Sequence, residues 1–212
     1  AGSNLQQFAL AEVSVGKAGF VTSLYVVLVP VFGWLIFRKK VAPQVWIGVV
    51  LAIGGLYLLC VTGEFTLGLS DVFLLLAALG FTGQILSIDR FAVRVDAVKL
   101  SCAQFFFAGV ISTALSLIFE TVDWAGVWYC ALPILYAAIF SSGIAYTLQI
   151  LAQAGSNPTV VTLLLSLESV FSVLSGAIIL GDRLTMREYA GCALMFAAVI
   201  FAQVGFKRRK KL

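Results

Sequence analysis

The chain alternates long apolar runs with short polar breaks. Seven runs are long enough to cross a bilayer as helices, which takes roughly 17–25 residues. They are 18–37, 41–63, 72–88, 100–119, 127–152, 159–180 and 189–206. Charges bound them: Lys17 and Arg38 flank the first, Asp71 and Asp89 the third, Lys99 and Glu120 the fourth. The uncharged stretch 124–167 is too long for one helix. Ala154-Gly155-Ser156-Asn157-Pro158 divides it, since a Ser/Asn pair before Pro is a helix-start signal. Residues 4–12 resemble the second half of another helix and the first residue is Ala, so a longer protein with a preceding segment is expected. Barrel strands would be shorter and alternate with period two. These runs instead mix Leu, Val and Phe with small residues throughout, as membrane helices do.

Composition agrees with the pattern. Hydrophobic residues make up 61% and charged residues 11%, with a mean hydropathy of +1.06. A soluble domain carries about 25% charged residues, so this chain cannot build a polar surface. The expected fold class is an all-α membrane protein, a polytopic bundle of transmembrane helices. Alternating the spans sorts the cations: Arg38, Lys39, Lys40, Arg90, Arg94, Lys99 and the run Lys207-Arg208-Arg209-Lys210-Lys211 fall on one side, and Lys17, Arg183 and Arg187 on the other. The positive-inside rule places the first group, and the C-terminus, in the cytoplasm. It makes the basic run a membrane anchor rather than a nucleic-acid site. A bacterial plasma membrane is the expected location. Trp46, Trp124 and Trp128 near span ends fit an interfacial aromatic belt.

Histidine is absent, which removes histidine-based metal sites and Ser/His catalysis within the chain. Cys60, Cys102, Cys130 and Cys192 show no CxxC spacing and read as small buried residues, and the wide spacing argues against a Cys60–Cys130 disulfide. No cofactor or metal is expected.

The chain also repeats itself. VTSLYVVLVPVFGWLIF from Val21, a polar turn and VWIGVVLAIGGLYLLCV parallel VTLLLSLESVFSVLSGAIIL from Val161, the link GDRLTMRE and YAGCALMFAAVIFAQV. Each copy opens on Val-Thr, carries a Val-Phe pair (Val31-Phe32, Val170-Phe171) and continues into a span with an early glycine, Gly48 or Gly191. An odd number of spans separates the copies, so they are expected in opposite orientation. Inverted repeats recur in secondary transporters, with the substrate site near the bilayer midplane at their interface.

The segment SLESVFSVLSGAIILGDRLTMREYAGCALMFAAVIF resembles the last two helices of EamA-type transporters of the drug/metabolite transporter superfamily. Leu180-Gly181-Asp182-Arg183-Leu184-Thr185 matches the family's Leu-Gly-Glu-Arg-Leu-Thr with Asp for Glu. Ser169 or a neighbour stands where the family often has Pro, while Pro30 keeps it in the earlier copy. The resemblance implies ten helices in two inverted five-helix repeats. On that frame 1–63 is the end of the first repeat (part of its third helix, then the fourth and fifth), 68–206 the second repeat, and 207–212 a basic cytoplasmic tail.

Glu168 is the first candidate. It falls about ten residues into the span 159–180, where a carboxylate costs on the order of 2.5–3.5 kcal/mol on the insertion scale. Two readings stand: binding of substrate or proton, or a protonated bond between helices. Ser172 shares a small-residue stripe with it. Gln84, Gln104, Tyr146, Gln149, Tyr25 and Gln7 are further mid-span polar residues, able to bond a substrate or a neighbouring helix. The expected function is a secondary transporter, exporting small metabolites, amino acids or drugs by alternating access. Its partners would be a small-molecule substrate, the lipid bilayer and, given a deep carboxylate, a coupling proton, but no nucleic acid. An integral membrane enzyme and a non-transporting scaffold are the alternatives. The lack of histidine and the single deep acid weigh against the enzyme.

Overall fold

The computed structural model describes residues 2–10, 13, 15–38, 41–61, 68–92, 94–119, 124–154, 156–179 and 185–209, with the side chains of 15, 16, 176, 179 and 203–209 left aside. The polar link 180–184, the acids Glu12, Glu64, Glu120 and Asp123 and the cations Lys39, Lys40, Lys210 and Lys211 lie outside the described residues. Every described element is helical: α1 (Gly2–Leu10), α2 (Val15–Thr22), α3 (Tyr25–Phe37), α4 (Pro43–Cys60), α5 (Leu69–Phe91), α6 (Ala97–Phe119), α7 (Trp124–Tyr129), α8 (Ala131–Tyr136), a π-helical segment (Ala137–Ala145), α9 (Tyr146–Gln153), α10 (Pro158–Leu165), α11 (Glu168–Ile179) and α12 (Met186–Arg209). Six stretches among the described residues are long and apolar enough to cross a membrane: Lys17–Phe37, Pro43–Cys60, Leu69–Phe91, Ala97–Phe119, Ala131–Gln153 and Pro158–Ser175. These are six of the seven runs read from the sequence; the seventh, 189–206, falls within α12. That helix continues to Arg209, taking in the first three residues read as tail.

Three spans expected to be single helices are interrupted. In 18–37, α2 ends at Thr22 and α3 restarts at Tyr25. Leu24 (φ −60°, ψ −10°) has 3₁₀-like backbone, and the amides of Val26 and Val27 donate to the carbonyls of Ser23 and Leu24, three residues back. Pro30, buried inside α3, lacks the N–H that would close on Val26, which favours a tighter turn upstream. In 127–152, Pro133 lies four residues after Tyr129, where α7 ends; its ring opposes that carbonyl, and Cys130 leaves helical geometry at φ −92°, ψ 13°. In 159–180 the break falls at Ser166 and Leu167, between α10 and α11.

The chain clusters into two compact units, residues 87–156 and residues 2–86 with 157–212. The larger unit holds most of the core. Val26, Val45, Val49, Ala52, Leu56, Leu163, Val170, Met195, Ala198 and Ala202 pack together from α3, α4, α10, α11 and α12. Its centre is the α4–α12 crossing, made close by glycine. A Cβ on Gly48 would lie 2.8 Å from the Ala198 carbonyl oxygen, one on Gly55 2.7 Å from Met195 Cγ, and one on Gly191 2.8 Å from Leu59 Cγ. As numbers rise along α4 their partners fall along α12, so the two helices run antiparallel. Small residues let membrane helices approach this closely.

At the end of this unit where α2 begins, Lys17 Nζ donates to Asp71 Oδ2 at 2.9 Å and stands 2.8 Å from Oδ1, and the Gly68 amide also donates to Oδ2, at 2.7 Å. Phe20 meets Tyr57 edge to face at 6.0 Å, and the Arg187 guanidinium lies 5.4 Å from the Tyr57 ring centre. The charge sorting put Lys17 and Arg187 on one side of the membrane.

The smaller unit packs more thinly. Ile88, Ala92, Ala97 and Ile150 form its core. Ser101 of α6 and Thr147 of α9 share a hydrogen bond at 2.8 Å. The most apolar window of α6 has no residue buried by the rest of the chain. All four cysteines are free thiols. Cys192 is buried and Cys60 half-buried, but Cys102 and Cys130 are exposed, which corrects the expectation that all four are buried. Hydropathy identifies a span but not which face of it packs.

Candidate functional site

The interruption ahead of Glu168 is built by hydroxyl groups. Asn157 caps α10, its Oδ1 accepting the Thr159 amide at 2.9 Å with Pro158 at the first helical position, as the sequence signal required. Thr162 Oγ1 then donates to the Thr159 carbonyl and Ser166 Oγ to the Leu163 carbonyl, both at 2.8 Å. Such bonds back to the helix compete with its own ladder and bend it. The Leu167 amide closes on Leu164 and the Ser169 amide on Ser166, three residues back, before Phe171 resumes the four-residue step to Leu167.

Glu168 is therefore not in mid-helix, as the uninterrupted reading of 159–180 had it; it is the first residue of α11. Its side chain is exposed, as are Leu164, Phe171, Ser172 and Ser175 at helical spacing around it. The opposite face of α11, with Val170, Val173 and Leu174, packs into the larger unit's core, as does Leu167 just before it. The carboxylate and the Ser172 and Ser175 hydroxyls thus share an open face. At the start of a helix the dipole favours a negative charge.

Tyr25 holds the corresponding place in the earlier span: it is the first residue of α3 after the interruption at Ser23 and Leu24. It is half-buried and packs against both the main core and the patch formed by Val29, Ile85 and Leu86. Gln84, half-buried on α5, directly precedes Ile85 and Leu86 of that patch. Gln7 is exposed on α1.

The remaining candidates belong to the smaller unit. Tyr146 and Gln149 are half-buried on one face of α9, and Phe105 of α6 meets the Tyr146 ring edge to face at 5.5 Å. Gln104, next to Phe105, is half-buried too. The π-helical segment ends immediately before Tyr146, and Thr147 Oγ1 donates back to the Gly143 carbonyl at 2.6 Å. Wide turns of this kind concentrate at functional sites. Gln153, one turn beyond Gln149, was not singled out from the sequence, yet it is fully buried. Its place at the end of a run gave no sign of this; the spacing Tyr146–Gln149–Gln153 along one face was the available signal. No group of three metal-ligating side chains occurs among the described residues.

Comparison with known proteins gives the following. The sequence profile described as the EamA-like transporter family matches residues 1–61 and 68–203. An uncharacterized transporter of Archaeoglobus fulgidus is 30% identical over 203 residues, covering 96% of this chain and 65% of that protein. An uncharacterized transporter of Synechocystis is 24% identical over 186 residues, 78% of this chain and 56% of that protein. The chain thus spans about two thirds or less of the length of these relatives. A protein of known crystal structure superposes with a TM-score of 0.82 over 98% of this chain and 73% of its own, at 20% identity, a likeness of fold alone.

Proposed function

The chain belongs to the EamA-like transporter family, and on that premise we propose that it is part of a secondary transporter that exports a small metabolite, amino acid or drug by alternating access, with Glu168 binding the substrate or a coupling proton. One observation carries the reading. Two polar residues chosen from sequence alone, Tyr25 and Glu168, each stand first after an interruption in a membrane span. Broken spans are where transporters place binding groups. The antiparallel packing of α4 against α12, the helices carrying Gly48 and Gly191 of the two sequence copies, supports an inverted arrangement of the repeats. The charge asymmetry of the loops supports a cytoplasmic C-terminus in a bacterial plasma membrane. Family membership and the absence of histidine favour transport over membrane enzyme chemistry.

The test is efflux or uptake of a metabolite panel by the full-length protein in vesicles, with and without a pH gradient. Glu168→Gln should abolish the response to the gradient while leaving the protein folded. A Glu168→Gln protein whose transport keeps its normal pH dependence would remove the proton role. No movement of any compound by the unaltered protein would remove transport itself.

A further inference from the structure

Ser166 lies two residues before Glu168 and is 1% exposed. In an uninterrupted α-helix the Leu163 carbonyl would accept the amide of Leu167. Here that amide closes on Leu164 instead, and the Leu163 carbonyl accepts Ser166 Oγ at 2.8 Å. The hydroxyl takes over a bond the backbone would otherwise supply, so the tight turn leaves no carbonyl stranded in the protein interior. Ser166 itself has 3₁₀-like dihedrals, φ −65°, ψ −15°. A 3₁₀ turn advances about 120° and 2.0 Å per residue against about 100° and 1.5 Å in an α-helix. Over Ser166 and Leu167 the difference amounts to roughly 40° of rotation and about 1 Å of rise.

We infer that Ser166 is the positioning residue for Glu168: its hydroxyl, bonded to the Leu163 carbonyl, holds the turn that sets the height and facing of the carboxylate at the start of α11. Nothing comparable to Pro30 is present to do so, since Ser169 stands where the other copy has proline. Ser166 is buried against the core side and acts through the backbone alone. The inference rests on the reading of Glu168 as the working carboxylate, but its geometry can be tested without a substrate.

The experiment uses the full-length protein in native membranes, with every cysteine, Cys60, Cys102, Cys130 and Cys192 among them, replaced by Ser or Ala and a single thiol introduced by Glu168→Cys. The rate of modification by N-ethylmaleimide is the readout. Adding Ser166→Ala should change that rate roughly fivefold or more, while Ser166→Thr should keep it within about twofold. Threonine can make the same bond, as Thr162 does one turn earlier. A thiol placed by Leu164→Cys, upstream of the turn and also exposed, should react at the same rate in all backgrounds. Ser166→Gly, which lacks the hydroxyl but adds no bulk, serves if the alanine variant does not fold. An unchanged rate at position 168 overturns the inference, as does an equal change at positions 164 and 168 or an equal effect of Ala and Thr. A failure of Glu168→Gln to alter transport would instead remove the functional reading and leave the labelling result standing.

Discussion

The spans α2–α3 and α10–α11, aligned as copies in the sequence, are both interrupted just after a threonine or serine that bonds back to its own helix, but only the first also carries a proline inside the helix that follows. In the first, Thr22 Oγ1 donates to the Ala18 carbonyl at 2.8 Å and lies 3.2 Å from that of Gly19, the tight turn at Ser23 and Leu24 follows directly, and Pro30 takes a further donor out of the helix beyond it. In the second, Thr162 and Ser166 divert carbonyls to their hydroxyls and the turn forms without proline. The residue after each turn differs too: a half-buried phenol, Tyr25, against an exposed carboxylate, Glu168. The two spans thus share a break while the residue that follows it differs. A proline break is permanent, whereas a hydroxyl break can be exchanged for an ordinary helical bond.

The sharpest way to break the comparison is to exchange the two devices. Proline inside a helix costs about 3 kcal/mol or more, so Pro30→Ala should raise resistance to denaturant, by up to about 3 kcal/mol. Ser169→Pro should cost much less than that, about 1 kcal/mol, because the Ser169 amide makes only a 3.3 Å bond to Ser166. Equal and large penalties for Ser169→Pro and for Ser172→Pro, further into α11, would show that the second span is not already open to a break.

A smaller effect is expected where the helices following the two spans meet. Gly48→Ala places a methyl 2.8 Å from a backbone oxygen that cannot step aside, and should destabilise by about 1–3 kcal/mol. Gly54→Ala, whose nearest neighbour would be Leu194 Cδ1 at 3.9 Å, should be neutral or gain about 0.5–1 kcal/mol from helix propensity. Thermal unfolding of both variants checks the contrast, and similar values would mean that the crossing is loose.

The smallest effect separates how those two helices start. α4 begins after Ala42 with Pro43 and no side-chain cap. α12 begins with a capping box: Glu188 Oε2 accepts the Thr185 amide at 2.7 Å and the Thr185 hydroxyl at 2.8 Å. These bonds hold the Glu188 carboxyl, one residue before the apolar run 189–206, below its usual pKa of 4.5. A depressed carboxyl contributes stability that is complete above the unfolded value and lost as pH falls through the folded one. Thr185→Ala should therefore cost about 1 kcal/mol at neutral pH and remove part of the stability loss seen below about pH 4.5. A pH-stability curve of the same shape in both proteins would deny the cap its charge.

The spans and the Asn157-Pro158 helix start were legible in the sequence because hydropathy and capping chemistry are local. The breaks were not. Ser166 reads as one more small residue until its hydroxyl is seen on the Leu163 carbonyl, and that choice competes with a backbone bond of similar strength. Counting residues along the run placed Glu168 about ten residues into its span, and Pro158–Ser175 is still one membrane-length stretch, but the count could not show that Glu168 opens α11. Its polarity marked it as a candidate, but its open face depends on which side of α11 meets α4 and α12. Gln153 shows the reverse error, a polar residue near a span end that folding buries completely.

The glycine crossing has a consequence for synthesis. The face of α4 that carries Gly48 and Gly55 is complete once residue 60 has been made, but its partner surface on α12 starts at Met186, more than a hundred residues later. At about 5–20 residues per second the ribosome needs on the order of ten seconds to deliver it. Through that interval α4 must sit in the bilayer with its narrowest face filled by lipid chains or by a provisional neighbour, and the last helix made has to displace them.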